Sequence, residues 1–571
     1  MFTSRTLRRG FTVIAALATC VVLAHPKDRE NNAEVKFTSR SELVLIPTLV
    51  TGKGGAHIGG LTKEDFTVFE NGVEQKIATF EEVTSDIHRV SHPRNPNEFS
   101  NALAGGPSTL RVTLIVLDFI NTPFAGQANA RTQLLKYLMQ SVGQSPQEQR
   151  EPTALYTLTR SGIHTIHDFT SDPRVLLAAL HKVRGDAVHL VDTPEDVEAV
   201  TGTASPDGSA GVDPGQVQSE ADRFQSMMED TELNFQSFQQ RLAITYTLEG
   251  MQQVAQALAG FPGRKSLIWA GGGFPFSVSD NTMQLAPAGR DTLADVLPLY
   301  EHTWQLLNNA QIALYPLDVN GLQVSVAPTA SVLSPGRNYS RNMENRQMDT
   351  QATLQTFASM TGGRAYYNSN DLVRGFRDAV NDSSEYYLLG YYLDRSKTKA
   401  GWRKLSVKAK RDHVEVRARS GFFITNATVD PENSRNNDLS TALQSPLDYT
   451  SLPLVAHWGV LEPGKEAGKK KVNYDMRVPA DSSVVNEADN NHLALEFIAL
   501  PKAVDGKAVG PPMGEKLDAH VSPDKVATIR QNGIIYRGAL ELAPGEYTVR
   551  FVVRDSLSGR VGSVAAPLRV E

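Results

Sequence analysis

The chain has 571 residues, 40% of them hydrophobic and 21% charged, with a formal net charge of -6. This length predicts roughly two to four domains of ordinary globular composition, and the mildly acidic balance offers no basic face of the kind nucleic acid demands. The one cysteine, Cys20, falls within the leader described next, which removes disulfides, thiolate nucleophiles and cysteine metal sites from the remainder.

Arg5, Arg8 and Arg9 precede an apolar run from Phe11 to Ala24, and Val22-x-Ala24 stands just before the polar stretch that begins at His25. This three-part layout predicts a secretory signal peptide over 1–24, in a run too short to span a membrane comfortably. The expected location is secreted or periplasmic, with association to the cell envelope; an uncleaved anchor is the alternative. Leu17-Ala-Thr-Cys20 has the outline of a lipobox, but Thr19 is bulky where a small residue is wanted.

Residues 35–84 are expected to form an N-terminal β segment. Ser41 to Val50 is rich in β-branched residues, a Gly-rich turn follows from Gly52 to Gly60, and Asn71-Gly72 between apolar runs signals a hairpin. Ser85 to Pro107 is polar, carries Pro93, Pro96 and Pro107, and predicts a linker. From 108 to 383 the pattern changes. Val112 to Leu117 is a nearly continuous apolar run ending in Asp118, which suits a central parallel strand buried on both faces. Helical patterns at 127–142, 174–183, 220–258, 353–361 and 372–381 alternate with strand patterns at 154–159, 163–167, 266–270, 312–317 and 364–367. Such alternation predicts an open α/β sheet.

Residues 384–425 return to β, with candidate strands at 385–392, 403–410 and 414–418. Neither this segment nor 35–84 has enough strands to stand alone, so the two are expected to share one β domain around the inserted α/β unit. The polar stretch from Thr425 to Tyr449 predicts a second linker. Residues 450–571, with clear strands at 493–500, 533–542, 545–554 and 561–570, predict a C-terminal β-sandwich of immunoglobulin-like size.

Four motifs stand in order: Leu61-Thr-Lys-Glu-Asp-Phe-Thr-Val-Phe-Glu-Asn-Gly72, Gly263-Arg-Lys-Ser-Leu-Ile-Trp-Ala-Gly-Gly-Gly273, Thr361-Gly-Gly-Arg-Ala-Tyr366 and Tyr386-Tyr-Leu-Leu-Gly-Tyr391. Together they resemble the von Willebrand factor A-related proteins of the type abundant in acidobacteria, over residues 35–425. The resemblance implies export and an α/β fold class, a Rossmann-like von Willebrand factor A domain with a flanking β domain. It names no ligand.

The resemblance also implies a place to look. Metal-binding A domains carry Asp-x-Ser-x-Ser after the first strand, a Thr from a later loop and an Asp after the fourth strand. Mg²⁺ takes about six oxygens in octahedral geometry, and the carboxyl edge of an open α/β sheet is where ligands sit. This chain matches in part. In Asp118-Phe-Ile-Asn-Thr122 the Asp is kept, Ile120 and Thr122 stand in the two Ser places, and Asn121 is a substitute oxygen; Gly271-Gly-Gly273 occupies the place of the later Asp. Asp118, Asn121 and Thr122 are thus candidate metal ligands of a degenerate site, weak for Mg²⁺ or another divalent cation, and no other cofactor is expected. The competing reading has Asp118 capping the loop or the first helix through hydrogen bonds. Three long insertions, about 185–219, 271–295 and 318–349, would emerge at the same edge. Connections this long are usually functional or disordered, so they predict a recognition surface or lid, with plain surface loops as the alternative.

Catalytic signatures are missing. Gly52-Lys-Gly-Gly55 lacks the ending and the following helix of a phosphate loop, and Phe276 breaks dinucleotide spacing after Gly271. His164 and His167, three apart on a strand, face opposite sides. The acidic residues between Asp186 and Glu198 lack a calcium-loop spacing, and no His-Glu-x-x-His or Gly-x-Ser-x-Gly occurs. The expected function is a non-enzymatic binding or scaffold protein whose partner is a protein ligand. The alternatives are a structural envelope component and a hydrolase with an unrecognised site.

Overall fold

The computed structural model describes residues 41–84, 97–101, 112–142, 151–183, 214–279, 282–284, 293–322, 337–382, 385–394, 398–424 and 431–571. The expected signal peptide and the acidic 186–198 stretch lie outside them. The architecture is mixed α/β, with more strand than helix, in several sheets. Among the described residues no helix is long and apolar enough to cross a membrane.

A five-stranded sheet has the order Ile312–Asp318, Lys265–Gly271, Thr113–Asp118, Thr153–Thr159, Gly162–Thr170; its first four strands are parallel and the last antiparallel. Thr113–Asp118 is buried along its whole length, because helices cover both faces. Alternation divides its side chains between them. Leu114 and Val116 join Ile244, Leu248, Trp304 and Phe357 from the helices Pro214–Leu258, Leu293–Asn309 and Arg337–Thr361. Ile115 and Leu117 join Leu134, Leu138, Leu176 and Phe376 from Phe124–Val142, Pro173–Leu180 and Leu372–Asn381. Each such leucine contributes about 1.5–3 kcal/mol through burial. Parallel pairing brings Asp118, Gly271 and Asp318 to one edge of the sheet.

Strands from before and after this unit interleave in two four-stranded sheets. One has the order Glu415–Arg417, Ser41–Thr51, Tyr386–Asp394, Thr79–Val83; the other is Gly421–Ile424, Gly401–Ala409, Phe66–Glu70, Val73–Gln75. Ile46, Phe66, Val68, Tyr387, Leu389 and Leu405 share their core. Asn71 and Gly72 both take left-handed φ, 47° and 82°, as a two-residue hairpin turn requires. This β unit docks on the α/β core through Phe423, whose ring lies 6.0 Å from Tyr300 and 5.0 Å from Trp402. Arg417 and Asp382 add an ion pair at 2.6 Å.

Several expectations need correction. Residues 364–367 do not form a strand; Tyr366 makes an isolated bridge to Leu317. The stretch expected to be a second linker holds the helix Pro431–Gln444, and Leu439, Leu443 and Tyr449 are buried with Leu500, Val552 and Val561. Its apolar residues are too few to mark a stripe against the polar ones. Within the first expected linker, Glu98–Ser100 is a strand paired with Val455–Pro463. Buried Asn101 donates to the Tyr449 and Leu452 carbonyls and accepts from the Leu454 N–H. The C-terminal unit thus has one sheet ordered Ile534–Leu542, Lys470–Val478, Val455–Pro463, Glu98–Ser100 and another ordered Met513–His520, His492–Ala503, Gly545–Asp555, Val561–Val570. Trp458, Tyr474, Phe497 and Phe551 lie in the core they share.

The described part of the 271–295 insertion is not a free loop. Ser277–Ser279 and Thr282–Gln284 pair as a hairpin, and Phe276, Val278 and Met283 are buried in the α/β core. Residues 185–213, 280–281, 285–292 and 323–336 of the three insertions lie outside the described residues.

Candidate functional site

Asp118 ends its strand, and the chain turns at once into the short loop before the helix Phe124–Val142. Asp118 is 1% exposed, and its carboxylate accepts four N–H bonds. Oδ1 takes the backbone N–H of Ile120 at 3.1 Å and of Asn121 at 3.0 Å; Oδ2 takes Asn121 Nδ2 at 2.7 Å and Trp269 Nε1 at 2.9 Å. Burial raises the Asp118 pKa above the usual carboxylate range, and the donors of Asn121, Trp269 and Ile120 pull it back part of the way.

The direction of the Asn121 amide follows from its other partner. Thr247 Oγ1, on the Pro214–Leu258 helix, gives its proton to the Ala243 carbonyl at 2.7 Å. It is therefore an acceptor toward Asn121, and the group facing it at 2.8 Å is the amide nitrogen. Asn121 thus turns N–H, not oxygen, toward Asp118, and its Oδ1 is buried with no hydrogen-bond partner. Thr122 is buried too, and its Oγ1 accepts from the Gly272 N–H at 2.8 Å.

The glycines opposite are required by close approach. A Cβ on Gly271 would stand 3.0 Å from Asp118 Cβ, and one on Gly272 would stand 2.7 Å from the Asn121 carbonyl oxygen. The packing of this loop against the Asp118 side chain and the Asn121 carbonyl leaves no room there for a carboxylate side chain. Asn320 Nδ2 donates to the Gly272 carbonyl at 3.0 Å, and the Asn320 N–H caps Asp318 Oδ1 at 3.0 Å. Burial pushes the Asp318 carboxyl up to about 6, a rise limited by the bonds from Asn320.

The structure brings Asp118, Asn121 and Thr122 together and surrounds them with Thr247, Trp269, Asp318 and Asn320, which the sequence reading passed over. Asp318 carried a usable signal, an acid ending an apolar strand just as Asp118 does. Trp269 and Thr247 carried none, because they lie 151 and 126 residues from the groups they bind. A divalent cation wants about six oxygens. Both Asp118 oxygens already face N–H groups, so the residues present do not fit such an ion. Among the described residues no group of three or more His, Cys, Asp or Glu side chains is placed to hold a metal. The histidine pair also stays apart: His164 Nε2 meets Ser161 Oγ at 2.7 Å, while His167 Nδ1 meets the Asp168 carbonyl at 2.6 Å. No protein-family model matches this chain, and no curated protein matches it.

Proposed function

We propose that this chain is an exported, non-catalytic binding or scaffold protein that uses a von Willebrand factor A-like α/β unit to engage a protein ligand at the cell envelope, without a metal ion. The observation that carries the reading is the Asp118 carboxylate, occupied by four N–H donors where a metal-dependent edge would keep oxygens free. The mostly parallel sheet with helices on both faces supports the A-like assignment, as does the β unit built from segments on either side of it. The two sheets over one core in the last unit support an immunoglobulin-like sandwich there. A buried carboxylate locked by hydrogen bonds is a poor nucleophile or general base, because the reacting atom must reach it.

Two measurements test this. Calorimetric titration with Mg²⁺ and Mn²⁺ is expected to give no saturable binding; micromolar affinity that disappears in Asp118→Ala overturns the metal-free reading. Crosslinking capture from the envelope fraction is expected to return the same protein partner with and without chelator. Capture abolished by chelator, or no partner under either condition, counts against the proposal.

A further inference from the structure

At the opposite edge of the five-stranded sheet, the helix Leu293–Asn309 turns into the strand Ile312–Asp318. There the α/β unit meets the β unit around a cavity of about 260 Å³, lined by Glu42, Asn308, Asn309, Arg419, Phe422 and Phe423 among others. Two of these side chains each carry a buried nitrogen without a hydrogen-bond partner. Arg419 is 9% exposed and Asn308 is 6% exposed; Arg419 Nε and Asn308 Nδ2 have no hydrogen-bond partner. The guanidinium lies over the Phe422 ring at 5.3 Å, which steadies it but satisfies none of its N–H groups. Burial lowers its pKa to about 10, a fall that Tyr391 and Glu42 oppose through space, so it stays charged at neutral pH.

Buried donors left unpaired are uncommon in folded proteins, and one such as Arg419 Nε, on a charged group, costs more than one on a neutral group. Two of them line one largely polar cavity beside the Phe422 and Phe423 rings, and polar groups gathered in a concave site are what fix the orientation of a small ligand. A guanidinium fork and an amide N–H select oxygen acceptors, and a negatively charged one best. The volume is that of about nine liquid waters, room for a molecule of succinate size. We propose that this cavity between the β unit and the α/β unit binds a small oxyanion-bearing molecule, a carboxylate or a phosphate, whose oxygens pair with Arg419 and Asn308. Because the pocket has walls from both units, its ligand ties them together and stabilises their junction by mass action. The inference stands apart from the reading of the Asp118 edge.

The test is calorimetry and thermal unfolding of the full chain with acetate, succinate and inorganic phosphate, each against chloride at matched ionic strength. At least one oxyanion is expected to bind saturably and raise the melting temperature, and the arm that does so separates carboxylate from phosphate. Arg419→Met is expected to weaken binding about tenfold or more, and Asn308→Ala about three- to tenfold. Folding of each variant is checked by circular dichroism; should Arg419→Met not fold, Asn308→Ala and Arg419→Lys carry the test. Binding of no oxyanion beyond the chloride control overturns the proposal, and so does wild-type affinity in the folded variants.

Discussion

The five-stranded sheet carries a polar constellation at each edge, and the two are built in opposite ways. Around Asp118, four N–H donors meet one carboxylate, and a hydroxyl, an amide and two glycine backbones close the remaining space. Around Arg419, a buried guanidinium and a buried amide face an opening with donors unspent. Both regions hold charged residues in a buried setting, so charge alone does not tell them apart. The balance of donors and acceptors does: the first edge is complete within the chain, apart from Asn121 Oδ1, and the second is completed by something outside it.

The largest effect expected from breaking this contrast comes from Asp118→Ala. It leaves four donors aimed at a void, and a cost of about 3–5 kcal/mol is expected in urea denaturation; a loss below about 1 kcal/mol would mean the donors find water easily and the edge is not closed. Next is Gly272→Asp, which adds a carboxylate to the loop. The new side chain collides with the Asn121 carbonyl, so about 1–3 kcal/mol of destabilisation is expected, with no Mg²⁺ binding gained by calorimetry. A stable, metal-binding variant would show that one missing acid, not the packing, closed the edge.

Asp318→Asn sharpens the contrast through pH. The folded-state pKa of Asp318 is about 6 against an ordinary 3.8. The folded protein therefore holds this proton more tightly than the unfolded chain does, and the stability it contributes is present below pH ~4 and lost as pH rises through ~6. The asparagine variant escapes that loss. At pH 7.5 it is expected to be more stable than wild type by about 1–2 kcal/mol, a gap that shrinks toward pH 4; denaturation midpoints at the two pH values measure it. The smallest effect is expected at the open edge. Asn308→Leu removes a buried donor that has no partner, so unfolding free energy should stay level or rise by up to ~1 kcal/mol. A loss above ~2 kcal/mol would show that Asn308 is already satisfied.

Much of the fold was legible where burial is one-sided or complete. The run from Val112 to Leu117 announced a doubly covered strand because both of its faces need apolar side chains, and Asn71-Gly72 announced its turn because few other pairs tolerate two left-handed residues. What stayed hidden depends on distant partners. Glu98–Ser100 is too short to show a period, and Pro431–Gln444 buries a narrow apolar patch on an otherwise polar helix. At the site, Asp118, Asn121 and Thr122 were visible as oxygen-bearing side chains in a motif position. That they would be matched by Trp269 and Thr247 was not visible, since chain spacing carries no information about a contact across more than a hundred residues. Arg419 and Asn308 were equally invisible, because a cavity is a property of packing between units.

The strand Glu98–Ser100 has a consequence in time. Asn101 is synthesised 353 residues before Leu454, the backbone it finally grips. At ~5–20 residues per second, that is a wait of roughly 20 to 70 seconds during which the segment has no partner. The edge of the last sheet formed by Glu98–Ser100 cannot be completed until the late strand Val455–Pro463 is present. A chain cut short before residue 455 would keep an unlatched strand with open hydrogen-bonding groups, ready to pair with a neighbouring molecule instead.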